Sequence, residues 1–236
     1  MNDLESILLN SFPKSIEKDV LVVINSFAFE EMGSSITFSV YINNEKITIP
    51  YRVYNRVKRE AWLQQFEAIR AEGKRSNSPY PHNEVFDRNN STKLTPIQQA
   101  IYYCILTRHS SGYVREDSIR NLFKGDCNHS WVAPFIIRLL GEYVVEIVEI
   151  IKENIGVIDK RLYLDFISDN KVFFNTTQSR VMSYWNEYYR KKHSGSNFLW
   201  EEYVGNEILR YLGFETQVNS KKYLRLKKYL EKKEAI

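Results

Sequence analysis

Two sets of charged residues are the parts of this sequence whose types and spacing could do chemistry. The first set recurs at intervals of four, four and three residues, which places it on one stripe of an α-helix. Its members are Arg138, Glu142, Glu146 and Glu149. Carboxylates at this spacing could hold a divalent metal or exchange protons, but the Glu-x-x-His pair of di-iron bundles is absent. The stripe therefore favours contact with a protein partner.

The second set is basic and lies near the end of the sequence. Residues 216–236 hold seven Lys or Arg and two Glu, whereas the rest of the chain is nearly neutral. Basic residues beside aromatic rings suit single-stranded nucleic acid or another anionic partner. The candidate residues are Arg190, Lys191, Lys192, Lys221, Lys222, Arg225, Lys227, Lys228, Lys232 and Lys233. A solvated, lysine-rich helix end is the simpler alternative, because cations stabilise a helix C-terminus.

Motifs for metals, nucleotides and catalysis are missing from the sequence. Cys127 and His129 would supply two zinc ligands, but structural zinc needs four, and the other Cys and His residues are scattered. The glycines form neither G-x-x-x-x-G-K nor G-x-G-x-x-G. We therefore predict no metal, no cofactor and no catalytic residue.

The longest apolar stretch covers residues 131–155, and we expect the other elements of the fold to pack around it. Its charges share one stripe and its other faces are apolar, which predicts a single central helix buried on several sides. The apolar start of that helix, residues 131–137, is unsuited to reading DNA bases. Five residues of the flanking helices could still contact backbone phosphate: Arg108, His109, Arg115, Arg120 and Lys124.

The pattern of the first 73 residues predicts a three-stranded antiparallel meander with flanking helices. The strands are expected at 19–29, 36–42 and 47–54, because these runs are rich in Val and Ile or alternate between apolar and polar residues. A helix over 56–72 is expected to cover the sheet.

Helices dominate the rest of the sequence. Thr95-Pro96-Ile97-Gln98 predicts a capping box at the start of one helix. A later helix is expected over 176–192. Its predicted inward side chains are Val181, Tyr184, Trp185 and Tyr188.

These elements together predict an α+β fold, in which the meander precedes a mainly helical domain around 131–155. The expected divisions are a small α+β domain at 1–73, a polar linker or loop at 74–94, a helical domain at 95–215 and a basic tail at 216–236. Two cysteines, no visible signal peptide and no apolar run long enough for a bilayer favour a cytoplasmic protein with no membrane partner.

The leading functional hypothesis is a non-enzymatic interaction or adaptor protein, a subunit of a larger bacterial assembly with a protein partner. The alternative is a nucleic-acid-binding module that uses the basic tail. A third hypothesis is an enzyme such as a nuclease, assembled from carboxylates that are distant in the sequence. The oligomeric state is left open.

Overall fold

The structure is a computed structural model that describes residues 3–27, 36–53, 93–190 and 199–213. Its α-helices are α1 (Asp3–Leu9), α2 (Glu17–Ser26), α3 (Pro96–Leu106), α4 (Gly112–Lys124), α5 (Ala133–Leu140), α6 (Val145–Glu153), α7 (Lys160–Asp169), α8 (Lys171–Tyr184) and α9 (Val204–Tyr211). The strands are β1 (Thr37–Ile42) and β2 (Glu45–Pro50). Short 3₁₀ turns cover Lys14–Ile16 and Trp200–Glu202, and a π-helical turn covers Trp185–Tyr189. The α+β class is confirmed. The helix predicted at 56–72, most of the linker at 74–94 and the tail at 216–236 lie outside the described residues.

The two strands form an antiparallel hairpin, in which Val40 pairs with Ile47 and Phe38 with Ile49. Its turn is Asn43-Asn44, and both residues have positive φ angles, of 50° and 67°. Two consecutive left-handed residues match the right-handed twist of the flanking strands, which is why Asn suits this turn. The side chains that face the core alternate along the strands as predicted: Val40, Ile42, Ile47 and Ile49.

The predicted three-stranded meander is wrong, because the residues expected to form its first strand are helical. Helix α2 occupies most of the interval 19–29, and its Val20 and Val23 are buried while Leu21 and Val22 are 39% and 47% exposed. A separation of three residues between buried side chains fits a helix and not a strand. β-branched residues favour strands only where a sheet accepts them, and here α2 packs against α3 instead.

The single helix predicted over 131–155 is also wrong. The chain forms α5 and α6, and Gly141 to Val144 separate them. A Cβ atom at Gly141 would lie 3.1 Å from Cβ of Arg180, so the close approach of α8 favours glycine here. Glycine is also a poor helix former, which favours the break.

Burial of the central segment is nevertheless confirmed, since every residue of α5 is buried. Phe12 packs against this region from the N-terminal part of the chain, with ring centroids 5.6 Å from Trp131 and 5.3 Å from Phe135. Buried apolar residues from both sides of the predicted domain boundary thus belong to one hydrophobic core. The division of the chain at 74–94 stays a prediction.

The capping box at the start of α3 is confirmed. The Gln98 amide donates to the Thr95 hydroxyl at 3.4 Å, and the Thr95 amide donates to the Gln98 side chain at 3.1 Å. The Gln98 side chain also donates to Asp19 of α2 at 2.8 Å, which links the two helices.

A membrane-spanning helix is not found in the described parts of the chain, where none of the helices combines the necessary length and apolar character.

Candidate anion-binding site

A buried carboxylate with several arginines around it is the most unusual feature of the structure. Glu142 lies just after α5, between Gly141 and Tyr143, and is 1% exposed. Its two oxygens accept parallel hydrogen bonds, both 3.0 Å long, from the guanidinium group of Arg52. Arg115 donates to the same carboxylate at 3.2 Å, and a nitrogen of Arg108 lies 3.5 Å from it.

Backbone contacts hold these three arginines in place. The segment after β2 pairs with the end of α3, because the Val53 amide donates to the Arg108 carbonyl at 2.8 Å and the Ser110 amide donates to the Val53 carbonyl at 2.9 Å. Arg115, in the first turn of α4, donates to the carbonyls of His109 and Ser110, each at 2.8 Å. The turn between α3 and α4 therefore encloses the Arg115 side chain.

Two further arginines adjoin this group around the ring of Tyr51. The guanidinium carbons of Arg138 and Arg180 both lie 5.1 Å from the ring centroid. Arg180 also donates to the Tyr51 hydroxyl at 3.3 Å, and Arg138 donates to the Gly141 carbonyl at 3.4 Å. We call the five arginines together with Glu142 the arginine cluster: Arg52, Arg108, Arg115, Arg138 and Arg180.

The arginine cluster is not electrically balanced. In the described parts of the chain, Glu142 is the only carboxylate in an ion pair with any of its arginines. Arg138 and Arg180 have no ion pair there. Arg108, Arg115 and Arg138 are 0%, 1% and 7% exposed, so water cannot screen their charges well.

Hydrogen bonding is incomplete in the same place. Buried nitrogens that make no hydrogen bond to the described residues are Nε of Arg115, Nε of Arg138 and both Nη atoms of Arg108, one of which lies 3.5 Å from the Glu142 carboxylate. Buried polar groups normally have a partner, so several unsatisfied donors on neighbouring cations need a physical explanation.

The pKa values in the arginine cluster reflect this surplus of positive charge. Burial, followed by the charge of Arg138, lowers the pKa of Arg108 well below its ordinary value. Burial and the charge of Arg180 lower the pKa of Arg138 to about 10. Burial raises the pKa of Glu142, but Arg115 and Arg108 outweigh it and hold that pKa below its ordinary value. A second anion would relieve the mutual repulsion of the guanidinium groups.

The arginine cluster reaches the surface at one side. Arg52 is 27% exposed, and Tyr51 and Arg180 are half-buried. Tyr143, which is 52% exposed, lies beside Arg115. Solvent therefore reaches the arginine cluster at Arg52, Tyr51 and Arg180.

The residues of the predicted partner stripe are divided between two environments. Arg138 and Glu142 are buried in the arginine cluster, whereas Glu146 and Glu149 are exposed on α6. The break after α5 removes the continuous stripe that a single helix would have presented. Contact of a protein partner with Glu146 and Glu149 stays a prediction.

The predicted basic set is described only at Arg190. This residue is exposed just after the π-helical turn and donates to Asn186 at 2.9 Å. The remaining members lie outside the described residues: Lys191, Lys192, Lys221, Lys222, Arg225, Lys227, Lys228, Lys232 and Lys233.

Tyr188 does not face inward as predicted, since it is 58% exposed. The π-helical turn widens the helix from Trp185 onward and moves the later side chains off the stripe that a regular α-helix would give.

A second concentration of charge, which we call the acidic pocket, lies at α7. Its volume is about 290 Å³, and its acidic lining residues are Asp159, Asp165 and Asp169, all exposed. No group of three or more His, Cys, Asp or Glu in the described ranges is placed to hold a metal ion. Asp159 instead accepts from the amides of Arg161 and Leu162 and caps α7.

Of the five residues predicted to contact phosphate, Arg108, His109 and Arg115 are buried, whereas Arg120 and Lys124 are exposed on α4. The sequence predicts no role for Arg52 or Arg180. One signal pointed to the site. Arg138 interrupts an apolar stretch that has to be buried, and a buried charge requires a partner.

Comparison of the chain with protein-family models, with curated proteins and with solved structures finds no match. A functional assignment therefore depends on the geometry of the chain itself.

Proposed function

We propose that this protein is a binding protein that holds the phosphate group of its ligand in the arginine cluster. The observation that supports the proposal is the set of buried guanidinium nitrogens on Arg108, Arg115 and Arg138 that make no hydrogen bond to the described residues. A phosphate group would supply acceptor oxygens and negative charge in the same place. Folding alone gives no reason to bury more cations than the available carboxylate can balance, because their desolvation is costly.

Phosphate is favoured by the chemistry of the donors. Guanidinium groups are planar and present paired N–H donors that match the oxygens of phosphate and carboxylate. Glu142 already occupies the carboxylate position against Arg52 and Arg115. The additional arginines suit a ligand with more charge and more oxygens than one further carboxylate has.

Binding is proposed and not catalysis, because Glu142 is engaged by Arg52, Arg108 and Arg115 and its pKa lies below its ordinary value. A carboxylate in that state is a poor general base. The cluster as described holds no second carboxylate to act in its place.

Thermal unfolding of the full chain with and without inorganic phosphate tests the proposal. Chloride and acetate at equal ionic strength serve as reference anions. At about one hundred times its dissociation constant, phosphate should stabilise the fold by about 2.7 kcal/mol and raise Tm by roughly 5–10 °C. Acetate should give a clearly smaller rise.

The diagnostic variant is Arg180→Gln. It removes a half-buried guanidinium that has no ion pair in the described chain, so the fold should tolerate it. Loss of one charged hydrogen-bond donor should weaken phosphate binding by roughly tenfold or more. Arg210→Gln, on the exposed face of α9, is the matched control and should leave the phosphate shift unchanged. Equal Tm shifts for phosphate, chloride and acetate, or an unchanged phosphate shift in Arg180→Gln, would refute the proposal.

A further inference from the structure

A row of exposed tyrosines begins at the edge of the arginine cluster. Tyr143 and Tyr188 are 52% and 58% exposed, and Tyr184 between them is half-buried. The ring centroids of Tyr143 and Tyr184 are 6.4 Å apart, and those of Tyr184 and Tyr188 are 6.0 Å apart. We call these three residues the tyrosine row.

The tyrosine row is continuous with the arginines. Tyr143 follows Glu142 directly, and its side chain lies beside Arg115. Arg180 and Tyr184 are four residues apart on α8 and so lie along one side of the helix, and the ring of Tyr188 in the π-helical turn stays beside that of Tyr184. The path from Arg180 to Tyr188 is roughly 12 Å long at the usual rise of a helix.

A rigid base supports the tyrosine row. The Tyr189 hydroxyl donates to the Tyr143 carbonyl at 2.7 Å, and the Tyr189 ring stacks on the buried ring of Tyr203 at 5.5 Å. Burial raises the pKa of Tyr203, which fits a ring fixed in the core. The exposed rings therefore stand on an ordered surface and need little reorganisation to accept a flat partner.

We infer that the tyrosine row and the arginine cluster together bind a short stretch of single-stranded nucleic acid, with bases stacked on Tyr143, Tyr184 and Tyr188 and a phosphate held by the arginines. This inference depends on the proposed phosphate site. Exposed aromatic rings beside guanidinium groups are what single strands bind, because every unpaired base has a face that can stack.

The length of the row favours a strand over a free nucleotide, because one base cannot cover three rings whose successive centroids are 6.4 Å and 6.0 Å apart. A duplex has no exposed base faces within its length. Carboxylates limit the footprint at the far end, since Glu187 is exposed in the π-helical turn and Glu146 and Glu149 lie near Tyr189. A phosphate there would be repelled, so a footprint of about three nucleotides is the expected size.

Fluorescence anisotropy of the full chain with a labelled oligothymidylate of about eight nucleotides tests the inference. Tyr184→Ala and Tyr188→Ala should each weaken binding by roughly fivefold to hundredfold, whereas Tyr188→Phe should retain it because the ring remains. Tyr41→Ala is the matched control, since Tyr41 is 51% exposed on β1, away from the row. Every variant keeps the basic tail, so binding by the tail alone would not respond to these changes.

Arg180→Gln in the same assay links the two surfaces. It should weaken oligonucleotide binding by roughly tenfold and reduce its dependence on salt concentration. Unlabelled duplex of the same sequence, adenosine monophosphate and polyglutamate should each compete far less well than the single strand.

The outcomes separate the inference from the proposed function. If phosphate stabilises the fold through Arg180 but the tyrosine variants bind the oligonucleotide as tightly as the parent chain does, the inference fails and the phosphate site stands. Equal competition by duplex, nucleotide or polyglutamate also overturns the inference. If phosphate gives no specific stabilisation, the proposed function fails and the inference fails with it.

Discussion

The arginine cluster and the acidic pocket each carry an excess of charge of one sign, yet they differ in their access to water. The aspartates of the acidic pocket are exposed, and Asp159 already has a local role as the cap of α7. The arginines 108, 115 and 138 are buried. Water screens the first group at little cost, whereas the second group depends on a counter-charge within the fold. The surplus of buried positive charge therefore requires an anionic partner, whereas the exposed aspartates do not.

The largest expected difference between the two regions is in Glu142→Gln compared with Asp165→Asn. Loss of the Glu142 charge leaves Arg52, Arg108 and Arg115 without their carboxylate and should lower the free energy of unfolding by about 3–5 kcal/mol. Loss of the exposed Asp165 charge should change it by less than about 0.5 kcal/mol. Urea unfolding of both variants measures the contrast. Equal decreases in the free energy of unfolding would mean that burial of the charge does not distinguish the two regions.

The arginine cluster should also make stability depend on pH through His109, which is 5% exposed and whose backbone carbonyl accepts a hydrogen bond from Arg115. Burial and the charge of Arg115 lower its pKa from 6.5 to about 4. Between these values the unfolded chain binds the proton more tightly, so stability falls as the pH decreases from about 6.5 to 4. The contribution should reach about 3 kcal/mol.

Urea unfolding at pH 7 and pH 4 measures this contribution. His109→Gln should remove about 3 kcal/mol of the pH dependence seen in the parent chain. His129→Gln replaces a histidine outside the arginine cluster and serves as the control. An unchanged pH dependence in His109→Gln would show that this histidine titrates as it does in the unfolded chain.

The smallest expected contrast is between two glycines. A Cβ atom at Gly141 would lie 3.1 Å from Cβ of Arg180 and 3.3 Å from Nη1 of Arg138, whereas Gly156 has nothing within 4 Å. Gly141→Ala should therefore destabilise the fold by about 1 kcal/mol and weaken phosphate binding by displacing the two arginines. Gly156→Ala should be neutral or stabilise by about 0.5 kcal/mol, because it restricts the unfolded chain. If Gly141→Ala stabilised the fold, the side chains of Arg138 and Arg180 would have to move aside without an energetic cost.

Local patterns in the sequence predicted local structure well. The alternation of β1 and β2 and the capping box at Thr95 are both set by neighbouring residues, and the structure has each of them. The strand predicted at 19–29 was wrong for a different reason. Its Val and Ile residues are compatible with either a strand or a helix, and packing against α3 decided between them.

Most residues of the candidate site could not be predicted from the sequence, because their contacts also depend on packing. Arg52 and Arg180 have no feature that separates them from other surface arginines, and only the fold brings them to Glu142 and Tyr51. The spacing of Arg138 and Glu142 is visible in the sequence, but it predicts an exposed stripe only if residues 131–155 form one long helix. The break at Gly141 depends on the approach of α8, which no local pattern encodes.

The contacts of the arginine cluster join segments that are far apart along the chain. Arg52 and Glu142 are separated by 90 residues, and Tyr51 and Arg180 by 129. Closing such long intervals costs more chain entropy than forming a hairpin or a helix, so contacts of this kind form late in folding. We therefore expect the guanidinium groups to stay hydrated while the helices assemble and to leave water together only when the topology is nearly complete.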